Sequence, residues 1–238
     1  MNAQLDHVDP ALGDTIAATQ AVRLVVLASG NGSNLQALID ACGRQITGDV
    51  VLVVSDQPDA KALRRAERAG IAHQVIAKLP GETRRDVDQR LADRVAAADP
   101  DRIILAGWMR LLSSTFLDRF ADHVVNLHPA LPGEYPGLHS IERAYADAVA
   151  GRRDYTGLMV HLVPDEAIDD GPVLAMTEIP IFPDDTLEQL ADRMHLAEHD
   201  LLVHTVAQLP PVSRVTPVAD HPAAVPRSPG QFDQAAHP

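Results

Sequence analysis

Short apolar runs alternate with amphipathic runs over the first half of the chain. Residues 22–28 form a β-branched apolar run, and residues 35–43 then carry apolar side chains at helical spacing. Further strand-like runs occupy residues 48–56, 72–77 and 101–109, with amphipathic segments between them. Regular alternation of strands and helices predicts an α/β fold with a doubly wound, mostly parallel, Rossmann-like sheet.

The pattern changes after residue 151. Two strand-like runs, 156–163 and 172–181, are joined by an acidic loop, which predicts an antiparallel C-terminal strand pair with a long tip. Residues 186–209 then have the apolar spacing of one long C-terminal helix, which starts with a capping box of Thr186 and Gln189.

The two ends of the chain lack such periodicity. Residues 1–20 have neither the basic region nor the apolar region of a signal peptide, and we expect a disordered N-terminal extension. Seven prolines fall between Leu209 and Pro238, so we expect residues 210–238 to be a proline-rich mobile tail. The predicted folded unit is residues 21–209.

Composition narrows the possible functions. The formal net charge of −13 disfavours binding to nucleic acid. No apolar window is long enough for a membrane span. Cys42 is the only cysteine, which excludes an internal disulfide and a cysteine zinc cluster and favours a cytoplasmic location. We expect a monomer or homodimer that acts on small molecules and holds no metal.

A glycine-rich loop, residues 29–34 with the sequence SGNGSN, lies where the first strand turns into the first helix. Free N–H groups at a helix start attract anions, and Ser33 or Asn34 can either cap the helix or donate to a phosphate oxygen. A dinucleotide fingerprint fits poorly because Leu35 occupies its third glycine position, and the P-loop pattern is absent. A tight turn with a capped helix and a sugar-phosphate site both remain possible.

Asn126 and His128 lie two residues apart after an apolar run, at the start of a proline-rich loop. On a strand they would share one face, at the carboxyl edge where open α/β sheets bind ligands. Asp169 and Asp170 occupy the acidic loop, and a carboxylate beside His128 would favour its protonated form. A strand-end cap and an exposed acidic loop fit these residues equally well. His161 is interpreted as a core or half-buried histidine.

Residues 195–199, HLAEH, match the H-x-x-E-H pattern of some zinc peptidases. His195 and His199 would lie on one face of a helix, but no third ligand is evident. Metal binding is therefore the weaker interpretation.

Four stretches, in order and with sensible spacing, together resemble the folate-dependent phosphoribosylglycinamide formyltransferases (glycinamide ribonucleotide transformylases). They are residues 25–41, 104–113, 126–139 and 159–174, and the resemblance runs from about Val22 to Leu209. It implies transfer of a formyl group from 10-formyltetrahydrofolate, as co-substrate, to the amine of the ribonucleotide in de novo purine biosynthesis.

The resemblance also implies the roles of individual residues. The catalytic residues would be Asn126, His128 and Asp169, with Asn126 and a protonated His128 donating to the formyl oxygen as it gains charge. The set that holds the ribonucleotide would be Gly32, Ser33, Asn34 and Glu198. The set that contacts the folate would be Arg84, Met109, Arg110, Leu111, Leu112 and Asn126.

The chain departs from the family pattern in two loops. Gly133 and Glu134 replace a proline–lysine-like pair, and the acidic loop is one residue longer, with Asp170 in place of a glycine. We align Asp169 with the catalytic aspartate.

Three other functions have to be weighed. The same Asn–His–Asp arrangement is found in formyltetrahydrofolate hydrolase and methionyl-tRNA formyltransferase, but an additional regulatory domain or a basic surface would be expected there. A catalytically silent nucleotide-binding module is the alternative from a different class.

Overall fold

The computed structural model describes residues 21–209 of the 238-residue chain. The predicted extension, 1–20, and the predicted tail, 210–238, lie outside the described residues. The strands are β1 (Val22–Leu27), β2 (Gly48–Ser55), β3 (His73–Val75), β4 (Arg102–Leu105), β5 (Val124–His128), β6 (Tyr155–Leu162) and β7 (Val173–Pro180). The helices are α1 (Ser33–Ala41), α2 (Lys61–Arg68), α3 (Arg84–Ala96), α4 (Ser114–Leu117), which continues into a 3₁₀ turn (Asp118–Phe120), α5 (Ser140–Val149) and α6 (Leu187–Gln208).

The seven strands form one sheet in the order β3-β2-β1-β4-β5-β6-β7. The pairs from β3 to β5 are parallel, whereas β6 pairs antiparallel with β5 and β7 pairs antiparallel with β6. The predicted doubly wound sheet and antiparallel C-terminal pair are thus confirmed. The strand order reverses between β1 and β4, and open α/β sheets place ligands at such a point.

Helices cover both faces of the sheet, which explains why β1 and β4 are apolar except at Arg23 and Arg102. In β1, Leu24 and Val26 pack into a core shared with α1, α2 and α6, while Val25 and Leu27 pack into a second core under α3 and α4. None of the helices within residues 21–209 is long and apolar enough to cross a membrane.

Helix α6 is the long C-terminal helix that the apolar spacing predicted, and the capping box of Thr186 and Gln189 is present. It packs against α1, α5, β6 and β7, so residues on its inner face reach the start of α1.

Two helices were not predicted. Helix α4 is a single turn, too short to show a period. Helix α5 does have helical apolar spacing, since Ala144 is buried and Ile141, Tyr145 and Ala148 pack half-buried against the core between β6, β7 and α6, but no element was predicted over these residues.

Candidate active site

A cavity of about 580 Å³ lies at the carboxyl edge of β1, β4 and β5. The segments after these strands line it, together with the loop between β6 and β7 and residues of α5 and α6. The four stretches that carried the family resemblance therefore meet at one place. Its wall holds these segments and side chains: 30–34, 105–112, 126–129, 137–142, Glu166, Asp169 and Glu198.

Within the glycine-rich loop, Gly32 is the N-cap of α1 and has φ 75°. A Cβ at Gly32 would lie 2.8 Å from Ala62 Cα, so glycine is required both by conformation and by space. Ser33 and Asn34 are the first two residues of α1, and no side chain within residues 21–209 caps this helix, so the capped-helix alternative does not apply. The first N–H groups of α1 therefore have no side-chain acceptor, as an anion site requires.

The side chain of Asn34 is committed to α6. Asn34 Nδ2 donates to Glu198 Oε2 at 2.9 Å, and both residues are buried. Within residues 21–209, no group of three or more His, Cys, Asp and Glu is arranged to hold a metal. Glu198 of the HLAEH segment thus links α6 to the first turn of α1. His195 of the same segment lines the cavity.

Three polar side chains meet beside β5. Asn126 and His128 alternate with Leu127 along β5 and so project from the same face of the sheet. Asp169, in the loop between β6 and β7, places Oδ2 3.3 Å from His128 Nδ1, and its Oδ1 accepts from Asn126 Nδ2 at 3.1 Å. Asp170 is exposed. The structure therefore puts Asp169, rather than Asp170, against His128.

The backbone also binds Asp169. The Gly137 N–H donates to Asp169 Oδ2 at 2.8 Å, so one carboxylate oxygen faces both this amide and His128. Asp169 itself has φ 54°, a conformation that is uncommon for a residue with a side chain. No local sequence signal identifies Gly137 as a partner of Asp169, because the contact spans 32 residues.

His161 belongs to the same polar cluster. It is buried, as expected, but it stands directly opposite Asn126 in the antiparallel pairing of β5 with β6. His161 Nδ1 lies 2.8 Å from the Leu162 carbonyl, which only accepts, so Nδ1 carries the proton. His161 Nε2 is then an acceptor for Asn126 Nδ2 at 3.1 Å. The core interpretation missed this role, which only the strand register reveals.

Burial determines the charge of His128. It lowers the pKa of His128 below the ordinary value, and this effect outweighs the opposing one of the Asp169 carboxylate. The Asp169 carboxylate favours the protonated form of His128, as expected, but burial has the larger effect on this pKa. His128 Nε2 has no hydrogen-bond partner within the described residues.

The pKa of Asp169 is also lowered. Burial acts to raise this pKa, but the Gly137 N–H and the imidazoles of His161 and His128 beside the carboxylate together outweigh it. Asp169 is therefore a carboxylate at neutral pH, and it can accept from the neutral imidazole of His128.

Residues 109–112, predicted to contact folate, line the cavity, and Met109 and Leu111 are exposed there. Leu112 is buried. The guanidinium of Arg110 instead pairs with the fully buried Asp88 at 2.8 Å and lies over the Trp108 ring.

Arg84 does not line the cavity. Its guanidinium pairs with Glu166 of the loop between β6 and β7, and Glu166 also accepts from the Ser114 N–H at 2.7 Å. Glu166 does line the cavity, so this ion pair lies at the cavity rim.

The chain is similar to proteins of one enzyme family over most of its length. The formyl transferase family matches residues 22–206. A phosphoribosylglycinamide formyltransferase of Dictyostelium discoideum is 40% identical over 200 residues, which cover 78% of this chain and 97% of the relative. The protein of that name from Escherichia coli is 39% identical over 179 residues, which cover 75% and 82%. The crystal structure of glycinamide ribonucleotide transformylase 1 from Symbiobacterium toebii matches with a TM-score of 0.74 at 34% identity, over 79% of this chain and 86% of that one.

Proposed function

The chain belongs to the phosphoribosylglycinamide formyltransferases of the formyl transferase family, and we propose that it transfers the formyl group of 10-formyltetrahydrofolate to the amine of 5'-phosphoribosylglycinamide. The products are N-formylglycinamide ribonucleotide and tetrahydrofolate, in de novo purine biosynthesis. One observation carries this proposal: an uncapped helix start suited to a phosphate and the Asn126–His128–Asp169 cluster line the same cavity.

The ribonucleotide is assigned to the α1 side of the cavity. Gly32, Ser33 and the first N–H groups of α1 hold its phosphate, since a helix start offers free donors and a favourable dipole. Asn34 and Glu198 are bound to each other and shape the wall beside it. The charge of −13 makes such a local site necessary, because the field of the whole protein repels anions.

The folate is assigned to the side of the cavity formed by residues 109–112. Exposed apolar side chains, Met109 and Leu111, offer a surface for its pterin ring. Arg84 reaches the acidic tail from the rim once it parts from Glu166.

His128 moves the proton that the transfer requires. Its Nδ1–H points at Asp169 Oδ2, which accepts, so Nε2 is the basic nitrogen. The His128–Asp169 pair accepts the proton lost by the attacking amine as the new C–N bond to the formyl carbon forms. It returns that proton to N10 of the leaving tetrahydrofolate as the old C–N bond breaks. Asp169 stabilises the imidazolium in the interval.

Asn126 stabilises the charge on the formyl oxygen. In the structure its two amide hydrogens serve Asp169 Oδ1 and His161 Nε2. The formyl oxygen replaces one of these acceptors as negative charge develops, and a preorganised donor of this kind lowers a barrier by about 3–4 kcal/mol. His161 and Asp169 hold the amide plane until then.

The direct test supplies the two substrates separately. Purified protein should convert 10-formyltetrahydrofolate to tetrahydrofolate only when the ribonucleotide is present, and formylated ribonucleotide should appear in equal amount. Turnover at full rate without the acceptor would establish the hydrolase alternative. Tight ribonucleotide binding without any turnover would establish the binding module.

A variant of the phosphate site extends this test. Ser33→Ala should raise the KM for the ribonucleotide by about tenfold and leave the folate KM unaltered, because a hydrogen bond to a charged group contributes about 1.5–3 kcal/mol. Gln36→Ala, on the exposed side of α1 with its amide bound to Asp40, is the matched control.

Glu166→Gln should lower the KM for 10-formyltetrahydrofolate by about two- to fivefold without changing kcat. Glu166 competes with the folate tail for Arg84, and an exposed ion pair of this kind contributes about 0.2–1 kcal/mol. Glutamine keeps an acceptor for the Ser114 N–H. Steady-state kinetics with varied folate measure the effect.

Glu82→Gln is the control for this variant, since Glu82 forms an ion pair with Arg90 outside the cavity. A higher folate KM in Glu166→Gln would contradict the assignment of Arg84 to the folate tail. A cytoplasmic location and a monomeric or homodimeric state remain predictions from the sequence.

A further inference from the structure

The loop that follows His128, residues 129–139, has an unusual backbone. Four of its residues have positive φ: Gly133 (77°), Tyr135 (43°), Gly137 (81°) and His139 (60°). Glycine adopts this conformation readily, but Tyr135 and His139 do not. A strained backbone of this kind persists only where the surrounding structure holds it in place.

Tyr135 is held by its hydroxyl group. The Tyr135 OH donates to Asp147 Oδ2 of α5 at 2.5 Å and accepts from Arg153 Nη1 at 2.6 Å. The guanidinium of Arg153 also lies over the Tyr135 and Tyr155 rings, 5.0 and 5.3 Å from their centroids. The strained residue is therefore fixed between α5 and the segment that enters β6.

Arg153 makes a second contact with the same loop. Its Nη2 pairs with Glu134 Oε2 at 2.7 Å, and only 12% of the Arg153 side chain is exposed. Glu134 is one of the two loop residues that depart from the family pattern. In this chain the carboxylate of Glu134 forms an ion pair with the guanidinium of Arg153.

The position of this loop matters at Asp169. The Gly137 N–H, two residues after Tyr135, donates to the Asp169 oxygen that also faces His128. Ser140 Oγ donates to the Tyr135 and Gly137 carbonyls, so the two residues move together. A shift of Tyr135 would therefore withdraw a donor from Asp169.

We propose that Arg153 is a positioning residue for formyl transfer: it holds Tyr135 and Glu134 so that the Gly137 N–H donates to Asp169 and keeps Asp169 aligned with His128. The proposal deepens the proposed function and rests on it. Arg153 touches neither Asp169 nor His128 and acts through the loop alone.

The predicted consequence is a change at Asp169. The groups that face its carboxylate are Asn126, His128 and His161 from β5 and β6 and Gly137 from the loop, and Asp165, Glu166 and Asp170 are the acidic neighbours on its own loop. Loss of the Gly137 donor removes one of the groups that lower the pKa of Asp169, so this pKa rises.

Arg153→Met tests this consequence. Methionine keeps a long apolar side chain but removes the guanidinium, and we expect kcat to fall by about ten- to a hundredfold because misplaced catalytic groups react slowly. The pKa of Asp169, measured by carbon-13 NMR of its carboxyl group, should rise. Arg153→Lys should recover only part of the loss, because lysine lacks the planar fork.

Arg193→Met is the matched control. Arg193 also pairs with a carboxylate, Asp185, and lies over an aromatic ring, Phe182, but it does not contact residues 129–139. It should lower the melting temperature without moving the pKa of Asp169. If Arg153→Met does not fold, Tyr135→Phe breaks the same link while it keeps the ring.

An unchanged pKa of Asp169 in both Arg153→Met and Tyr135→Phe would overturn the proposal and leave Arg153 a structural residue. The NMR measurement needs no turnover. A wild-type protein that fails to transfer formyl groups would therefore contradict the proposed function alone. Comparing the pKa of Asp169 in wild type and in Arg153→Met would still test whether Arg153 positions Asp169.

Discussion

His128→Asn should lower kcat by about a thousandfold while the KM of each substrate changes by less than about threefold. His128 is the group that moves the proton, and loss of a general acid–base residue typically costs 10²- to 10⁴-fold. Asparagine is polar and of similar reach, but it has no basic nitrogen. Because the imidazole acts on a bond that forms and breaks, its loss affects the transition state more than the bound ground state.

The pH profile gives an independent measure of the same residue. Burial lowers the pKa of His128, so the basic form persists below the ordinary pKa of imidazole. Wild-type kcat/KM should therefore stay constant down through pH 6.5 and fall only at lower pH, where His128 gains a proton. His204→Asn, an exposed substitution on α6, should behave like wild type. A decrease in kcat of less than about tenfold in His128→Asn would rule out this role.

Asp169→Asn should lower kcat by about a hundredfold or more, whereas Asp170→Asn should stay within about twofold of wild type. The Asp169 carboxylate accepts from two donors, the Asn126 amide and the Gly137 N–H, and stabilises the His128 imidazolium. Asparagine removes the charge and would direct its own N–H₂ group at one of these donors. Removing one partner of a buried, hydrogen-bonded charge is strongly unfavourable.

The comparison of the two aspartates is its own control, because the substitution is the same and the positions are adjacent. Asp170 is exposed, whereas Asp169 contacts Asn126, His128 and Gly137. Melting temperatures of both variants distinguish a loss of stability from a loss of catalysis. The opposite ranking of the two activities would show that the additional residue of this loop had been placed on the wrong side of the catalytic aspartate.

The fold class and the segments that form the cavity could be predicted from the amino-acid sequence. Apolar residues at a period of two or of about 3.6 follow directly from strand and helix geometry, so β1, α1 and α6 could be predicted from their own residues. The segments around Gly32, Asn126 and Asp169 could be identified because glycine, asparagine and histidine occur there in a pattern that resembles one enzyme family. Helix α5 was not predicted, although Ile141, Ala144, Tyr145 and Ala148 have helical spacing.

The contacts between these segments became visible only in the folded chain. The bond between Asn34 and Glu198 joins residues 164 positions apart, and the pairing of Arg84 with Glu166 spans 82. Neither contact leaves a local pattern. The place of His161 opposite Asn126 depends on strand register, and the contacts of Arg153 depend on a loop with four positive φ angles. The neutral state of His128 results from a balance between burial and the charge of Asp169, and burial is a property of the folded chain and not of any segment of it.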